Sequence, residues 1–305
     1  MKSAEISLDV TYDCPFDCPF CSSREGAAPM RMSAGVASSC AEFMQNLRSL
    51  RGSNVEIAIT GGEPLGFRDL NAYLRAWSKH VSEAILCTTC GLDMLPSQWS
   101  ALAGAGLSTV RMSLHCVSAH SCLEIFGNAY CPGIVEANVD RLTKAGIALD
   151  VNFLLTTPTA SHFQEVLEFC VQKPVRSIRV LGLSRQGRAP LNWTQLNMPP
   201  QVQVEVAQRI RAQCAQVGLP VEFSGLMSVS PCTHSDNDSA CLGGSSFFHI
   251  NTNGDIYPCP SVKSLPEFRI ASVMDSSAER LLKSPAGPRE CVVVAPESLC
   301  TASHV

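Results

Sequence analysis

Cys14, Cys18 and Cys21 fall within eight residues, in the string Asp-Cys-Pro-Phe-Asp-Cys-Pro-Phe-Cys. Three thiolates at this spacing suit one iron–sulfur cluster and leave one of its corners open. A centre that only stores electrons uses four cysteines, so a trio points to an iron that takes its last ligand from outside. Two other readings compete. A structural zinc site pairs two C-x2-C knuckles, or one knuckle with two histidines; here the next cysteine is Cys40 and the first histidine is His80. A disulfide framework belongs to small secreted chains. This chain has 16 cysteines in 305 residues, and Met1 to Val10, which carries Lys2, Glu5 and Asp9, does not read as a secretory signal. Metal-bound thiolates in a reducing cytoplasm fit better, and the expected localisation is cytoplasmic.

A second motif follows an apolar run. Val55 to Thr60 reads as a buried strand, so Gly61-Gly62-Glu63-Pro64 falls at its C-terminal end. Ligands gather at that end of parallel α/β sheets, and paired glycines let backbone approach a ligand closely. Alone, the string also fits an ordinary strand-to-helix turn.

The order of strand, C-x3-C-x2-C with Phe20 before the last cysteine, and then Gly61-Gly62-Glu63-Pro64 resembles the radical S-adenosylmethionine (radical SAM) enzymes. The resemblance implies a 4Fe-4S cluster on Cys14, Cys18 and Cys21 whose open iron is chelated by S-adenosylmethionine. Reductive cleavage there releases a 5'-deoxyadenosyl radical that abstracts hydrogen from substrate, with a reducing flavodoxin or ferredoxin as electron donor. It further implies that Gly61, Gly62, Glu63 and Pro64 meet the amino group of S-adenosylmethionine. Thr88-Thr89-Cys90-Gly91 resembles the family's Thr-Asn-Gly turn, with cysteine for asparagine. Val110-Arg111-Met112-Ser113-Leu114-His115 resembles the fourth strand, where Ser113 would lie near the ribose; His115 replaces a common aspartate and reads as a structural histidine or a polar contact to substrate.

The elements that must position these residues repeat one plan, strand then helix. Strands are expected at Ile6–Val10, Val55–Thr60, Ala84–Thr88, Thr109–Leu114, Ala148–Leu155 and Ser177–Leu183, with helices at Gly35–Leu50 and Phe67 to about His80. Alternation of this kind argues for a parallel α/β sheet with right-handed crossovers, and the resemblance implies a six-stranded partial (β/α) barrel, open on one side. Ser184 to Pro200 reads as a connection, followed by a helix near Gln201–Gln216 and a strand at Leu219–Ser224. The core is expected over 1–215 and a smaller cysteine-containing module, built on a β-hairpin, over 216–305.

In that module Asn253-Gly254 signals a hairpin whose two central residues both need positive φ, with Cys241 and Cys259 just beyond its ends. The spacing resembles the start of the SPASM extension of peptide-modifying radical enzymes, and of its half-version, twitch. One auxiliary iron–sulfur cluster is expected on Cys241, Cys259, Cys291 and Cys300; Cys291 and Cys300 also fit as small apolar residues. Cys232 is open to three readings: a substitute ligand, a hydrogen-atom donor to a substrate radical, or a loop cysteine without a role. Cys40, Cys87, Cys116, Cys122, Cys131, Cys170 and Cys214 are scattered and read mostly as packing residues.

Composition bounds the rest. With 46% hydrophobic and 16% charged residues the chain builds a large core, and no apolar run is long enough to span a bilayer. A formal charge of −4 and a pI near 6.0 give no pull toward nucleic acid. Three substrate classes stay open: maturation of a ribosomally made peptide by epimerisation, crosslinking or thioether formation; dehydrogenation of a small alcohol; and cofactor assembly as in the molybdenum cofactor pathway, whose enzyme has a C-terminal C-x2-C pair and Gly-Gly absent here. Gly187-Arg188-Ala189 and the Cys241 to Cys259 pattern favour the peptide class. The chain starts at its first strand, so leader recognition would need a partner or another surface. A non-enzyme reading, an electron carrier or zinc module, has no use for an open iron or an adenosyl pocket.

Overall fold

The computed structural model describes residues 4–23, 31–51, 54–126, 131–225 and 243–283. Six strands run in the expected order: β1 (Ala4–Thr11), β2 (Val55–Gly61), β3 (Glu83–Thr88), β4 (Thr109–Ser113), β5 (Ala148–Leu155) and β6 (Val175–Gly182). Each pairs in parallel with the next. The sheet then grows beyond the six-stranded partial barrel: the strand expected at Leu219–Ser224, β7 (Val221–Ser224), pairs in parallel with β6, and the first hairpin strand, β8 (Phe247–Ile250), pairs in parallel with the free side of β1. β9 (Asp255–Tyr257) and β10 (Ala271–Ser272) extend that side antiparallel. The result is one open ten-stranded sheet in the order β10-β9-β8-β1-β2-β3-β4-β5-β6-β7.

Helices fill the crossovers: α1 (Ala34–Arg51), α2 (Leu70–Trp77), α3 (Pro96–Gly104), α4 (Ala119–Phe126), α5 (Pro132–Lys144) and α6 (Phe163–Gln172). The segment expected to be plain connection contains a 3-10 turn at Ala189–Asn192 and the single-turn α7 (Trp193–Leu196) before α8 (Pro200–Val217); α9 (Ser277–Lys283) follows the hairpin. Pro96, Pro132 and Pro200 open α3, α5 and α8, where a missing N–H costs nothing. The expected division at residue 215 falls inside α8.

Strand alternation separates two environments. On β1, Ile6, Leu8 and Val10 are fully buried against the helical layer, while Ser7, Asp9 and Thr11 point to the other face. Trp77 Nε1 donates to the Ala37 carbonyl at 2.9 Å, fastening α2 to α1. Trp99 Nε1 donates to Asn138 Oδ1 at 3.2 Å, fastening α3 to α5.

The turn joining β8 to β9 departs from expectation. Gly254 has φ +90°, but Cys90 is the one non-glycine residue with positive φ among the described residues, so Asn253 is not left-handed. Gly254 N–H donates to Asn251 O at 2.9 Å and Asn251 N–H to Asp255 O at 3.0 Å. That pattern is a three-residue hairpin loop in which glycine alone takes the left-handed position.

Candidate cofactor and cluster site

The cysteine loop leaves the C-terminal end of β1 and is gripped from two sides. On one side lies the end of β2: Gly62 N–H donates to Thr11 O at 2.6 Å, and Glu63 N–H to Asp13 O at 2.9 Å. A Cβ on Gly61 would lie 2.2 Å from Thr11 O, and one on Gly62 would lie 2.3 Å from Asp13 O. What presses on these two glycines is the backbone of the cysteine loop, where the sequence reading placed a ligand. On the other side lies the segment after β6. Arg188 N–H donates to Cys21 O at 2.9 Å, Asn192 Nδ2 donates to Pro19 O at 3.0 Å, and Arg188 pairs with Asp17. Within the loop, Phe16 packs on Gly91, where a Cβ would meet its ring at 2.5 Å.

Cys14, Cys18 and Cys21 are half-buried free thiols. Burial, together with the neighbouring Cys21 and Cys14, pushes the Cys18 thiol up to about 12, against the pull of Arg188. Three thiols that oppose one another's ionisation become thiolates together only with a cationic centre between them. Among the described residues no three His, Cys, Asp or Glu side chains gather closely enough to hold a metal ion. A multi-iron cluster spreads its sulfur ligands more widely than one ion does, and an all-thiol donor set is the chemistry such a cluster takes.

Glu63 is buried, and its carboxylate is fully used. Oε1 accepts from Thr88 Oγ1 at 2.5 Å and from Leu65 N–H at 3.1 Å; Oε2 accepts from Thr89 N–H at 3.0 Å and Thr89 Oγ1 at 2.6 Å. Glu63 thus holds the turn after β3 beside the turn after β2. In that turn Cys90 is buried with φ +56°. Asparagine tolerates this conformation better than cysteine does, which accounts physically for the asparagine of the resembled turn.

Ser113 and Asn152 are register partners across β4 and β5. Among the described residues Asn152 Oδ1 is buried without a hydrogen-bond partner, as are both amide atoms of Gln186, just before Gly187. Buried polar atoms of this kind want a partner, and these amides with the Ser113 hydroxyl are donors and acceptors that would suit an adenosyl cofactor. Sequence reasoning singled out Ser113 but missed Asn152 and Gln186; the polar alternation Asp150, Asn152 on β5 was the available signal for the first. His115 Nδ1 accepts from Leu154 N–H at 3.2 Å, and its ring meets Phe20 edge-on at 5.2 Å. Burial lowers its pKa to about 4. The imidazole is neutral near pH 7, and it packs against Phe20, the residue before Cys21.

A buried polar cluster, also missed in the sequence, joins β1 to the hairpin. Lys263 Nζ donates to Asp9 Oδ2 at 2.8 Å and to Ser23 Oγ at 3.1 Å. His249 Nε2 lies 3.3 Å from Asp9 Oδ2, and its Nδ1 lies 3.2 Å from Ser7 Oγ. Burial alone would raise the Asp9 carboxyl, but Lys263 and His249 hold it well below the carboxylate range. Cys259, half-buried, caps a 3-10 turn four residues before Lys263. Cys232, Cys241, Cys291 and Cys300 lie outside the described residues. Of the scattered cysteines, Cys131 is exposed and Cys87 half-buried, while Cys40, Cys116, Cys122, Cys170 and Cys214 are buried as expected. No helix among the described residues is long and apolar enough to cross a membrane.

A parallel sheet with a three-cysteine loop at the end of its first strand, clamped between glycine-bearing turns, defines a class of cluster-bearing α/β proteins. Residues 8–170 match the model of the Radical SAM superfamily, and the chain belongs to that superfamily. Membership implies S-adenosylmethionine and a 4Fe-4S cluster as the family's cofactors. The chain is 27% identical over 234 residues to the PqqA peptide cyclase of Rhizobium meliloti, covering 73% of this chain and 59% of that protein. It is 29% identical over 146 residues to the GTP 3',8-cyclase of Rhodococcus opacus, covering 47% and 40%. The chain therefore spans about three fifths of the length of the PqqA peptide cyclases it matches. In structure it resembles SuiB of Streptococcus suis bound to S-adenosylmethionine, with TM-score 0.71 at 16% identity over 91% of this chain and 65% of that one. It also resembles anSMEcpe with bound AdoMet, with TM-score 0.67 at 15% identity over 92% and 80%. At these identities the likeness is one of fold.

Proposed function

We propose that this chain matures a ribosomally made peptide by radical chemistry, through epimerisation, a crosslink or a thioether, and that it carries a second iron–sulfur centre. The observation that carries the reading is the clamp on the cysteine loop, with Gly61 and Gly62 on one side and Gly187 and Arg188 on the other. It holds Cys14, Cys18 and Cys21 at the strand ends that Ser113 and Asn152 also line. The bound cluster and S-adenosylmethionine together supply a 5'-deoxyadenosyl radical, for which a flavodoxin or ferredoxin is the proposed electron source. The protein's part is to hold and enclose. The three thiolates anchor the cluster, Phe20 and His115 brace the loop from within, and the apolar faces of β1 to β6 keep bulk water from the helical side. Cys259 supplies one ligand of the second centre, with Cys241, Cys291 and Cys300 as its proposed partners and Cys232 as the proposed hydrogen-atom donor.

The peptide substrate is supported by the names of the relatives, PqqA peptide cyclases, and by SuiB and anSMEcpe structures with a precursor peptide or a peptide bound. Anaerobic reconstitution followed by dithionite reduction tests the reading. The wild type should be brown and cleave S-adenosylmethionine, and the combined Cys14→Ala, Cys18→Ala, Cys21→Ala variant should not. That variant should keep about half of the iron if a second cluster exists. Cleavage by the triple variant would refute the cluster assignment, and iron near zero in it would remove the second centre.

A further inference from the structure

On the sheet face opposite the helical layer, a thiol and an arginine sit side by side one level below Ser113, and a second arginine sits level with Ser113 two strands away. The β3–β4 register sets Cys87 beside Arg111, the β4–β5 register sets Ser113 beside Asn152, and the β5–β6 register sets Asn152 beside Arg179. Because side chains alternate along a strand, Cys87, Arg111, Ser113 and Arg179 share one face. All four keep accessible surface while their strand neighbours Leu86, Val110, Met112 and Val180 are buried. Burial raises the Cys87 thiol, Arg111 and Arg179 pull it back down, and the more weakly acting Glu5 and Asp9 push it up, so the two guanidinium groups outweigh the acids within electrostatic reach of this sulfur.

Asp150 is the β5 register partner of Arg111, and its carboxylate is engaged elsewhere. Asp150 accepts from Arg176 at 3.1 and 2.9 Å, and Asp9 from Lys263 at 2.8 Å. Arg179 meets Glu222 at 3.3 Å, where the glutamate side chain is 58% exposed. The Arg111 guanidinium makes no side-chain hydrogen bond or ion pair among the described residues. A partly buried guanidinium with no anion in hydrogen-bond contact is unfavourable by itself, and its planar fork is matched by a carboxylate.

We propose that Arg111, with Arg179 two strands away adding its charge, binds a carboxylate carried by the substrate, on the sheet face that also holds Cys87. This rests on the peptide reading above and deepens it: the substrate segment that reaches this face presents an acidic residue.

Cys87 is a built-in reporter. Full-length reconstituted protein is pulsed anaerobically with iodoacetate or iodoacetamide, and labelling is resolved by mass spectrometry at each cysteine. The iodoacetate-to-iodoacetamide ratio at Cys87 should exceed that at exposed Cys131 by about tenfold, through local concentration of the anion. Arg111→Met should bring the ratio close to that of Cys131, and Arg179→Met should lower it in part. Arg111→Lys should keep the preference, and it stands in if the methionine variant loses its iron or its circular dichroism. Equal ratios at Cys87 and Cys131, ratios unmoved by these variants, or no labelling of Cys87 by either reagent would each overturn the proposal. Saturating S-adenosylmethionine separates the two sources of carboxylate. A preference that survives it supports a substrate group, whereas a preference that vanishes assigns the site to the cofactor and sinks the substrate claim. Cleavage of S-adenosylmethionine, measured separately, tells a failure here from a failure of the functional reading.

Discussion

Gly187 stands against Cys21 so closely that a Cβ on it would lie 2.2 Å from the Cys21 carbonyl oxygen, and its φ of +57° already disfavours a side chain. Gly187→Ala should therefore cost about 2 kcal/mol or more, combining left-handed strain with the clash, and should lower iron uptake. Gly133, near the start of α5, has nothing within 4 Å of its Cβ position, so Gly133→Ala should stabilise by about 0.5–1 kcal/mol. Urea unfolding and iron counts on both variants check the pair. Equal behaviour of the two would remove the clamp from the account.

Glu63 offers a separation of structure from ligand contact. Its carboxylate accepts from Leu65, Thr88 and Thr89, so Glu63→Gln turns one acceptor into a donor that faces donors. A loss of about 2–3 kcal/mol is expected in protein without S-adenosylmethionine. Unchanged stability there would mean that the carboxylate is held for a ligand rather than for the turn.

The Asp9–Lys263 pair predicts strong coupling. Lys263→Met removes the nearer of the two basic groups facing the buried Asp9 carboxylate, leaving His249 alone, and should cost about 3–5 kcal/mol. Adding Asp9→Asn should restore a large part of that loss, and a double-mutant cycle on unfolding free energies measures it. Additive single effects would show that the two charges do not depend on each other.

His115 gives a pH dependence with a definite sign. Its pKa falls from 6.5 to about 4 on burial, so the unfolded chain binds more protons between those values. Stability is complete above about 6.5 and declines as pH falls toward 4, by about 3 kcal/mol at most. His115→Gln should flatten the denaturant midpoint between pH 7 and pH 4.5. A slope equal to that of wild type would place the acid sensitivity elsewhere.

Local signals were legible where physics is local. Apolar alternation marked β1 to β6 to within a few residues, and α8 ended at Gly218, which has φ +70°. The cysteine spacing located the site, and Gly187-Arg188-Ala189 drew notice as a motif, although its grip on Cys21 appears only when β6 and β1 are folded into one sheet. What escaped depends on distant partners. Glu63 finds Thr88 and Thr89 some 25 residues on, and Lys263 finds Asp9 across 254 residues. Nothing in the four residues of β8 announces that they pair with β1, and a hairpin signal cannot say which edge its strands will join. Asn253-Gly254 did mark a turn, but three-residue geometry satisfied the backbone with one left-handed residue instead of two.

The position of β1 between β2 and β8 has a consequence for how the protein comes into being. β2 follows soon after β1 on the chain, but β8 begins at Phe247. During synthesis β1 would present an uncovered hydrogen-bonding edge until residues 247–250 have left the ribosome, and such edges recruit wrong partners. Pairing at so large a sequence separation is also slow. The loop bearing Cys14, Cys18 and Cys21 hangs from that same strand, so the loading of a cluster there would wait on the arrival of β8.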